Sequence, residues 1–537
     1  MNSYPVAKSW QLLSDNSPTD LTALRQLLLK NKNLSAADFT PSTFLESPLD
    51  VSAAVSKIKE VIAADLPIVI HGDYDVDGLS ATAILWETIY RGLKYEKCRP
   101  FIPNRFEHGY GLSVESVGEC LKLAGEKPGL LITVDCGITA LDAVSHANDL
   151  GFKVLIVDHH QPLEEKPAAM ILWTDQLCAA GIAYFLSQAL VPGFAGLDLT
   201  ALATIADLQP LTGLNRQLVK QGLPLLSKPQ RLGIKALKEV AGLLEKEVGV
   251  YEAGWFLSPR LNASGRLEDA LDSLRLLCSL SEEQVRDLAK KLSQINTERQ
   301  QKTGEMVEHA QEALLETKEK KIIVVANESY HEGLIGLVAG KLVQKYYRPA
   351  VVISCGPEFC KGSARSISGF NIVEALRSQA ELLENVGGHP MAAGFTLKTE
   401  RLAEFSAALQ GFGEVSLDEE TLKPVLKIDA KLPLELLGWD LFNLVSELEP
   451  FGIGNPEPVF LTKNTEIASL KELGLGGKHL SLTFKNNLRA VGFGLGEWSA
   501  RLKIGDRVDI VYSVVKNEWK ENVSLELRIK DLKLAPE

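Results

Sequence analysis

Three aspartates stand at alternate positions in His71-Gly72-Asp73-Tyr74-Asp75-Val76-Asp77-Gly78. Carboxylates this close repel one another strongly unless cations bind among them. Hard oxygen ligands suit Mg²⁺ or Mn²⁺, and an imidazole such as His71 shifts the preference toward Mn²⁺. An EF-hand calcium loop also begins Asp-x-Asp-x-Asp-Gly. It requires a glutamate at its twelfth position, which here is Ile84, and a helix ahead of it, where this chain has the apolar run Leu66-Pro67-Ile68-Val69-Ile70. Taken alone, the motif could also be a solvated acidic turn, although a buried strand directly ahead of it argues against that.

A second cluster, Asp158-His159-His160, follows another apolar run, and two histidines beside an aspartate at a strand end point to metal or phosphate binding. Asp135 ends the run Leu130-Leu-Ile-Thr-Val134, and Asp207 lies in the apolar setting Ala203-Thr-Ile-Ala-Asp-Leu208. An ionised carboxylate there is costly unless paired or coordinating, and a helix-terminal cap is the alternative reading for Asp207. Together these clusters suit a two-metal site. Two divalent ions roughly 3.5–4 Å apart activate a water and stabilise the leaving oxygen of a phosphodiester. A carboxylate must bridge them, and the mid-sheet Asp135 is the best candidate.

The elements that would position these groups read as an α/β fold. Runs at 66–70, 130–134 and 153–157 alternate with helical stretches at 51–64, 79–92 and 139–150. Strands alternating with helices imply a parallel sheet covered on both faces, and ligands bind at the carboxyl edge of such sheets. Residues 282–318 read as a long connecting helix, and a second α/β unit runs from Lys321 to about Gly411. From about Leu422 short strand-like runs separated by Gly, Asn and Lys turns suggest a small Greek-key barrel. The expected division is an N-terminal segment (1–50), a catalytic domain (51–280), the long helix (281–318), the second α/β lobe (319–415) and the barrel (422–537).

With 537 residues, 45% hydrophobic and 23% charged, the chain has room for several globular domains. It shows no signal-peptide pattern and no long apolar span, so a cytoplasmic protein is expected. Seven scattered cysteines form no CxxC pair, and Cys355 and Cys360, five apart, read as coincidence in a loop rather than a metal knuckle. The net charge of −12 argues against a generic nucleic-acid coat. It does not exclude a nuclease, whose bound cations reverse the sign at the site.

The order DxDxDG, VDCG, DHH and an Asp ending TIAD resembles the DHH phosphoesterase superfamily. The resemblance implies one metal held by Asp75 and Asp135 with His71 or Asp73, and another held by Asp77, Asp135, His159 and Asp207. It implies a catalytic set of Asp135, Asp158, His159 and His160, with His160 polarising the scissile phosphate. Further matches resemble the RecJ family. They are Phe101-Ile-Pro-Asn-Arg105 with Gly109-Tyr-Gly111, Pro259-Arg-Leu-Asn-Ala-Ser-Gly-Arg266, Asn296 through Gln300, Lys361-Gly-Ser-Ala-Arg-Ser366, Gly387-Gly-His389, and Glu449-Pro-Phe-Gly452 with Gly454-Asn-Pro456. Their shared order along the chain is what gives the match its specificity.

Membership would bring a DHH lobe, a long helix, a DHH-associated lobe and an oligonucleotide-binding barrel, with the active site in a cleft between the lobes. It would bring processive 5′→3′ removal of mononucleotides from single-stranded DNA, in repair and recombination, by a monomer using two Mn²⁺ or Mg²⁺ ions. A single-strand-binding protein and a recombination helicase would be its partners. Arg105, Arg260, Asn262, Arg266, Ser363, Arg365, Gly387, Gly388 and His389 are the candidate substrate contacts, because arginine forks suit phosphates and glycine lets backbone approach them. Structural salt bridges are the plain alternative for the arginines, as is a simple turn for Gly387-Gly-His389. Ser363 and Arg365 are favoured for a terminal 5′ phosphate. In the barrel, Trp498, Tyr512 and Trp519 are candidates for base stacking and Lys516 and Lys520 for phosphates, with core packing favoured for Tyr512. Gly474-Leu-Gly-Gly-Lys478 resembles a phosphate loop but has Glu472 and His479 where a Walker sequence needs Gly and Ser or Thr.

Two other readings compete. A DHH enzyme acting on short oligoribonucleotides or cyclic dinucleotides shares the clusters but needs no barrel. A catalytically inactive DNA-binding scaffold would have lost ligands, yet every expected ligand position is filled.

Overall fold

Ile68–Gly72, Leu130–Val134 and Lys153–Asp158 are apolar along almost their whole length because both faces of their sheet are covered. In the computed structural model they form the centre of a five-stranded, all-parallel sheet. Its order is Cys98–Phe101, Ile68–Gly72, Leu130–Val134, Lys153–Asp158 and Met170–Trp173. Asp73, Asp135 and His159 therefore leave the sheet at the carboxyl ends of three adjacent strands, with Asp135 in the middle. The structure describes residues 8–34, 45–105, 107–109, 111–314, 320–485, 487–519 and 522–536. The chain divides into two compact units. One holds this sheet and consists of Ser35–Arg299 with Glu449–Pro456; the other consists of Met1–Leu34, Gln300–Leu448 and Glu457–Glu537.

The helix after the acidic motif starts earlier than the sequence reading placed it, at Val76 instead of Leu79. Asp75 is the reason. Its Oδ1 accepts from the Asp77 and Gly78 N–H groups at 2.9 and 3.2 Å, capping the helix. Gly78 must be glycine here, since a Cβ would stand 2.6 Å from the backbone N and O of Asp73. The helix Ser258–Leu267 braces the same loop. Asn262 Oδ1 accepts from the Val76 N–H at 2.9 Å, and a Cβ on Gly265 would meet the Tyr74 carbonyl at 2.8 Å. Asn262, a candidate substrate contact by sequence, has its carbonyl committed to this backbone donor.

The Glu449–Pro456 segment reads by sequence as the approach to the barrel. It belongs instead to the unit with the parallel sheet. Arg216 is fully buried and donates to the carbonyls of Glu449 at 2.6 Å and Pro450 at 3.4 Å. Leu211 N–H donates to Ile453 O at 2.6 Å, and Gly452 and Gly454 lie against Leu211 and Pro210 closely enough that a Cβ would come within 2.7 and 3.1 Å. The segment thus clips the loop that follows Asp207.

The second unit contains a mixed five-stranded sheet, ordered Asn385–His389, Ala392–Lys398, Phe359–Arg365, Ala350–Cys355 and Ile323–Asn327. It also contains a six-stranded sheet that closes on itself where Phe460–Leu473 pairs with Arg507–Trp519. The first strand of the chain, Ser9–Leu12, runs parallel to Val425–Ile428, and Trp10 Nε1 donates to Asp531 at 2.7 Å. The described residues 8–34 fall in the same compact unit as the six-stranded sheet. The long helix runs over Glu282–Leu314. Among the described residues no helix is long and apolar enough to cross a membrane.

Replacing Arg216 by Ala removes two charge-assisted hydrogen bonds to buried carbonyls. We expect a loss of about 2–4 kcal/mol in denaturant unfolding, with faster amide exchange over 449–456. Unchanged exchange there would rule out the clip.

Candidate metal centre

Three groups of ligand atoms, each within 4.8 Å of one another, converge at the sheet edge: Asp73, Asp75 and Asp135; Asp77, His159 and Asp207; and Asp135, His159 and His160. Asp135 and His159 each belong to two of them. Asp135 sits at φ +61° just beyond its strand, a left-handed conformation a non-glycine residue holds only under constraint, and its N–H stays bonded to Val157 O at 3.0 Å. His159 Nε2 faces Asp135 at 3.2 Å, Asp77 at 3.6 Å and Asp207 at 3.7 Å. Asp77 is fixed against a second helix, accepting from the N–H groups of Ala179 and Ala180 at 2.7 and 2.8 Å. Asp207 ends the helix Leu197–Ala206, where the helix dipole opposes a carboxylate, so the helix itself gains nothing from it.

The electrostatics require a counter-charge. Burial first, and then the charges of Asp77, Asp75, Asp73 and Asp207, hold the Asp135 pKa well above the ordinary carboxylate range. Burial and then Asp75 do the same to Asp73, and burial also raises Asp77 against the pull of His159. Asp207 is pushed up to about 8 by burial and then by Asp77. Asp73 Oδ1 is buried without a hydrogen-bond partner. A buried carboxylate oxygen with no donor, among carboxylates that repel one another, fits a divalent cation.

His71 stands apart from these groups. Its Nε2 is 3.1 Å from Ser116 Oγ, its Nδ1 is 3.6 Å from Cys136 Sγ, and burial lowers its pKa to about 4. Of the two residues left open by sequence, Asp73 is the one placed with Asp75 and Asp135. Asp158, expected in the catalytic set, has both oxygens occupied. Oδ1 accepts from the N–H groups of His159 and His160 and faces His160 Nδ1 at 2.8 Å, and Oδ2 accepts from Ile138 N–H at 3.1 Å. Its carboxylate therefore holds the backbone of the two histidines and the His160 ring in place. Burial opposes charge on His160, but the hydrogen bond and charge of Asp158 outweigh it and push the pKa up to about 9. The His160 side chain is 32% exposed against 11% for His159, so His160 is the one that faces outward.

The family models that match are the DHH family N-terminal domain over 67–208, the DHHA1 domain over 319–413 and the RecJ OB domain over 428–531. The single-stranded-DNA-specific exonuclease RecJ of Thermus thermophilus is 32% identical, across 92% of this chain and 73% of that protein. The Haemophilus influenzae RecJ is 31% identical, across 89% of this chain and 90% of that protein.

The chain belongs to the RecJ family.

The Bacillus subtilis RecJ is 36% identical over 89% of this chain, which spans 62% of that relative's length. The crystal structure of Thermus thermophilus RecJ in complex with Mn²⁺ superimposes with a TM-score of 0.85 at 29% identity, covering 98% of this chain and 80% of that one.

Around this RecJ-family centre the predicted arginines divide. Arg105 lies over the Tyr74 ring at 5.3 Å. Arg266 is half-buried; burial, and then the charges of Arg105 and Arg299, lower its pKa to about 10, against the pull of Asp75. Arg260 instead donates to Phe256 O at 2.7 Å and Ser293 Oγ at 3.3 Å, tying elements of its own unit together. Tyr110 lies outside the described residues.

In the other unit the strand register assembles a second cluster. Arg365 pairs with Ala392 and Ala392 with His389, while Ser363 pairs with Gly394 and Gly394 with Gly387. Directly paired residues share a face, so Ser363, Arg365, Gly387 and His389 line one surface with only Ala and Gly between them. Arg365 NH1 lies 3.2 Å from Ser363 Oγ, and Gly336, in the first turn of the helix Ile335–Tyr346, is close enough that a Cβ would meet both side chains at 3.0 Å. Gly388 points to the opposite face. Its φ of +140° and a Cβ clash at 2.3 Å with Ala392 O make it a backbone requirement.

In the barrel Tyr512 is buried, its hydroxyl 2.8 Å from Thr462 Oγ1, as the apolar run around it predicted. Arg501 covers Trp498 at 5.5 Å, and Lys516 is paired with Glu518. Lys520 and the Trp519 side chain lie outside the described residues.

Sequence reasoning missed Arg299 and Gln209. Arg299 was visible only as part of the Asn296–Gln300 match. Gln209 donates from Nε2 to Asp207 Oδ2 at 2.8 Å and lies 3.4 Å from His159 Nδ1, holding two members of the Asp77, His159 and Asp207 group. Its signal was a polar side chain two residues beyond an isolated acid. Gln209→Ala should weaken Mn²⁺ binding by about 10- to 100-fold in titration calorimetry. Unaltered affinity would remove Gln209 from the centre.

Proposed function

We propose that this chain is a metal-dependent exonuclease that degrades single-stranded DNA 5′→3′ to mononucleotides. The observation that carries the proposal is the convergence of five buried or half-buried aspartates and His159 on one sheet edge, with Asp135 common to two ligand groups. Asp73, Asp75 and Asp135 would hold one divalent ion, and Asp77, Asp135, His159 and Asp207 the other. Mn²⁺ or Mg²⁺ there supplies Lewis acidity and offsets negative charge at the phosphorus. The Mn²⁺ complex of the Thermus thermophilus RecJ supports that choice of ion.

The chain's own residues do the rest. Asp158 holds His160 Nδ1–H, leaving Nε2–H to donate to a non-bridging phosphate oxygen. Arg105 and Arg266, with Arg299, meet the strand's phosphates. Ser363, Arg365 and the N-terminus of the helix Ile335–Tyr346 receive a terminal 5′ phosphate. The Gly387 and Gly394 floor lets a sugar-phosphate backbone lie flat, with His389 at its edge. The RecJ OB domain supports an extended single-stranded substrate over a dinucleotide. A single-strand-binding protein and a recombination helicase are the partners that this activity implies.

The deciding assay compares 5′-phosphorylated single-stranded DNA, duplex DNA and dinucleotides with Mn²⁺ or Mg²⁺. Single strands should be cut fastest, a chelator should stop the reaction, and Asp135→Ala should fall to background. Faster turnover of dinucleotides would sink the single-strand reading, and normal turnover by Asp135→Ala would sink the metal site. Arg365→Ala should reduce the preference for a 5′ phosphate by on the order of 10- to 100-fold, the worth of a charge-assisted pair. An intact preference would reassign the phosphate site.

A further inference from the structure

The two cysteines that sequence spacing set aside as coincidence face each other. Ala350–Cys355 and Phe359–Arg365 are antiparallel neighbours, and Cys355 is the direct register partner of Cys360. Gly356 N–H donates to Phe359 O at 3.0 Å, so Gly356 and Phe359 form the hydrogen-bonded pair that closes the hairpin around Pro357 and Glu358. The alternation of an antiparallel ladder makes the next pair, Cys355 and Cys360, a non-hydrogen-bonded one. Such pairs bring Cα atoms to about 4.5 Å with side chains on one face. Disulfides span Cα separations of about 4.4–6.8 Å.

The side chains agree with the backbone. Burial first, and then the neighbouring Cys360 side chain, push the Cys355 thiol up to about 12, which places the two thiols beside each other. Cys360 Sγ also donates to Thr399 Oγ1 at 3.5 Å, and that hydroxyl donates to Gly356 O at 2.8 Å, fixing the inner thiol against the hairpin turn. Cys355 alone among the seven cysteines is not fully buried. Neither cysteine belongs to a ligand group among the described residues, so a metal does not compete for them.

We propose that Cys355 and Cys360 are a reversible thiol-oxidation site, in which a small-molecule disulfide converts the pair to a cross-strand disulfide. The Cys355 thiol gives up its proton and attacks one sulfur of RS–SR. That S–S bond breaks, and RS⁻ leaves with the electron pair and takes up a proton. The Cys360 thiol then gives up its proton and attacks Cys355 Sγ, which forms the protein disulfide and expels the second RS⁻. The two thiols are oxidised by two electrons, and RS–SR is reduced to two RSH. The bond would pin the hairpin on the strand that continues to Ser363 and Arg365.

The test uses the full chain in glutathione redox buffers, followed by acid quench, alkylation and mass mapping of the segment that carries both cysteines. The wild-type segment should carry two alkyl groups from reducing buffer and none, at two hydrogens below its unmodified mass, as the buffer becomes more oxidising, and should take up both alkyl groups again after reduction. Cys360→Ser should stop at a glutathione adduct on Cys355, because the resolving thiol is gone. Cys355→Ser should leave the buried Cys360 unmodified. A wild-type chain that stays reduced across the series overturns the proposal, as does one that accumulates the adduct on Cys355. Circular dichroism of each variant confirms that the comparison is made on folded protein.

Discussion

Mutual repulsion among carboxylates at the end of one sheet is the constraint on which the rest of this structure depends. Asp73, Asp77 and Asp135 are buried, and each has its pKa raised by that burial, Asp73 and Asp135 further by their neighbours. A fold can hold such a cluster only if rigid elements oppose its tendency to fly apart. Here the supports are backbone N–H groups at helix N-termini, which bind Asp75 and Asp77, and the ladder bond that keeps Asp135 at the end of its strand. Compact divalent charge placed among these carboxylates would relieve that repulsion.

Close approach is the second element of the design. Gly78 brings a helix against Asp73, and Gly265 brings another against Tyr74. Neither glycine offers a ligand atom, yet each sets where ligands can stand, Gly78 also through its N–H on Asp75. Asn262 completes this layer by accepting the one N–H, at Val76, that the cap on Asp75 leaves over.

Much of this was legible in the chain. The apolar runs gave the parallel sheet because strands covered on both faces cannot alternate, and the acidic clusters gave the site because they follow those runs directly. Asp75 misled the helix boundary, since its capping role is invisible when three aspartates are all read as ligands. The bonds of Arg260 to Phe256 O and of Asn262 to the Val76 N–H were not legible, because both depend on the folded backbone. Long-range register was the hardest part to read. The rows joining Arg365 to His389, Ser363 to Gly387 and Cys355 to Cys360 depend on strand pairing, which spacing alone does not encode.

The Glu449–Pro456 clip has a consequence for how the molecule is made. The unit around the parallel sheet is discontinuous, and its last piece emerges from the ribosome only after the entire DHHA1 region has been synthesised. Until then the loop beyond Asp207 lacks its covering segment, and Arg216 lacks its carbonyl partners. Closing so long a loop carries an entropic cost that local contacts must first overcome. Closure of the clip over the loop beyond Asp207 is therefore a late event in the life of the nascent chain.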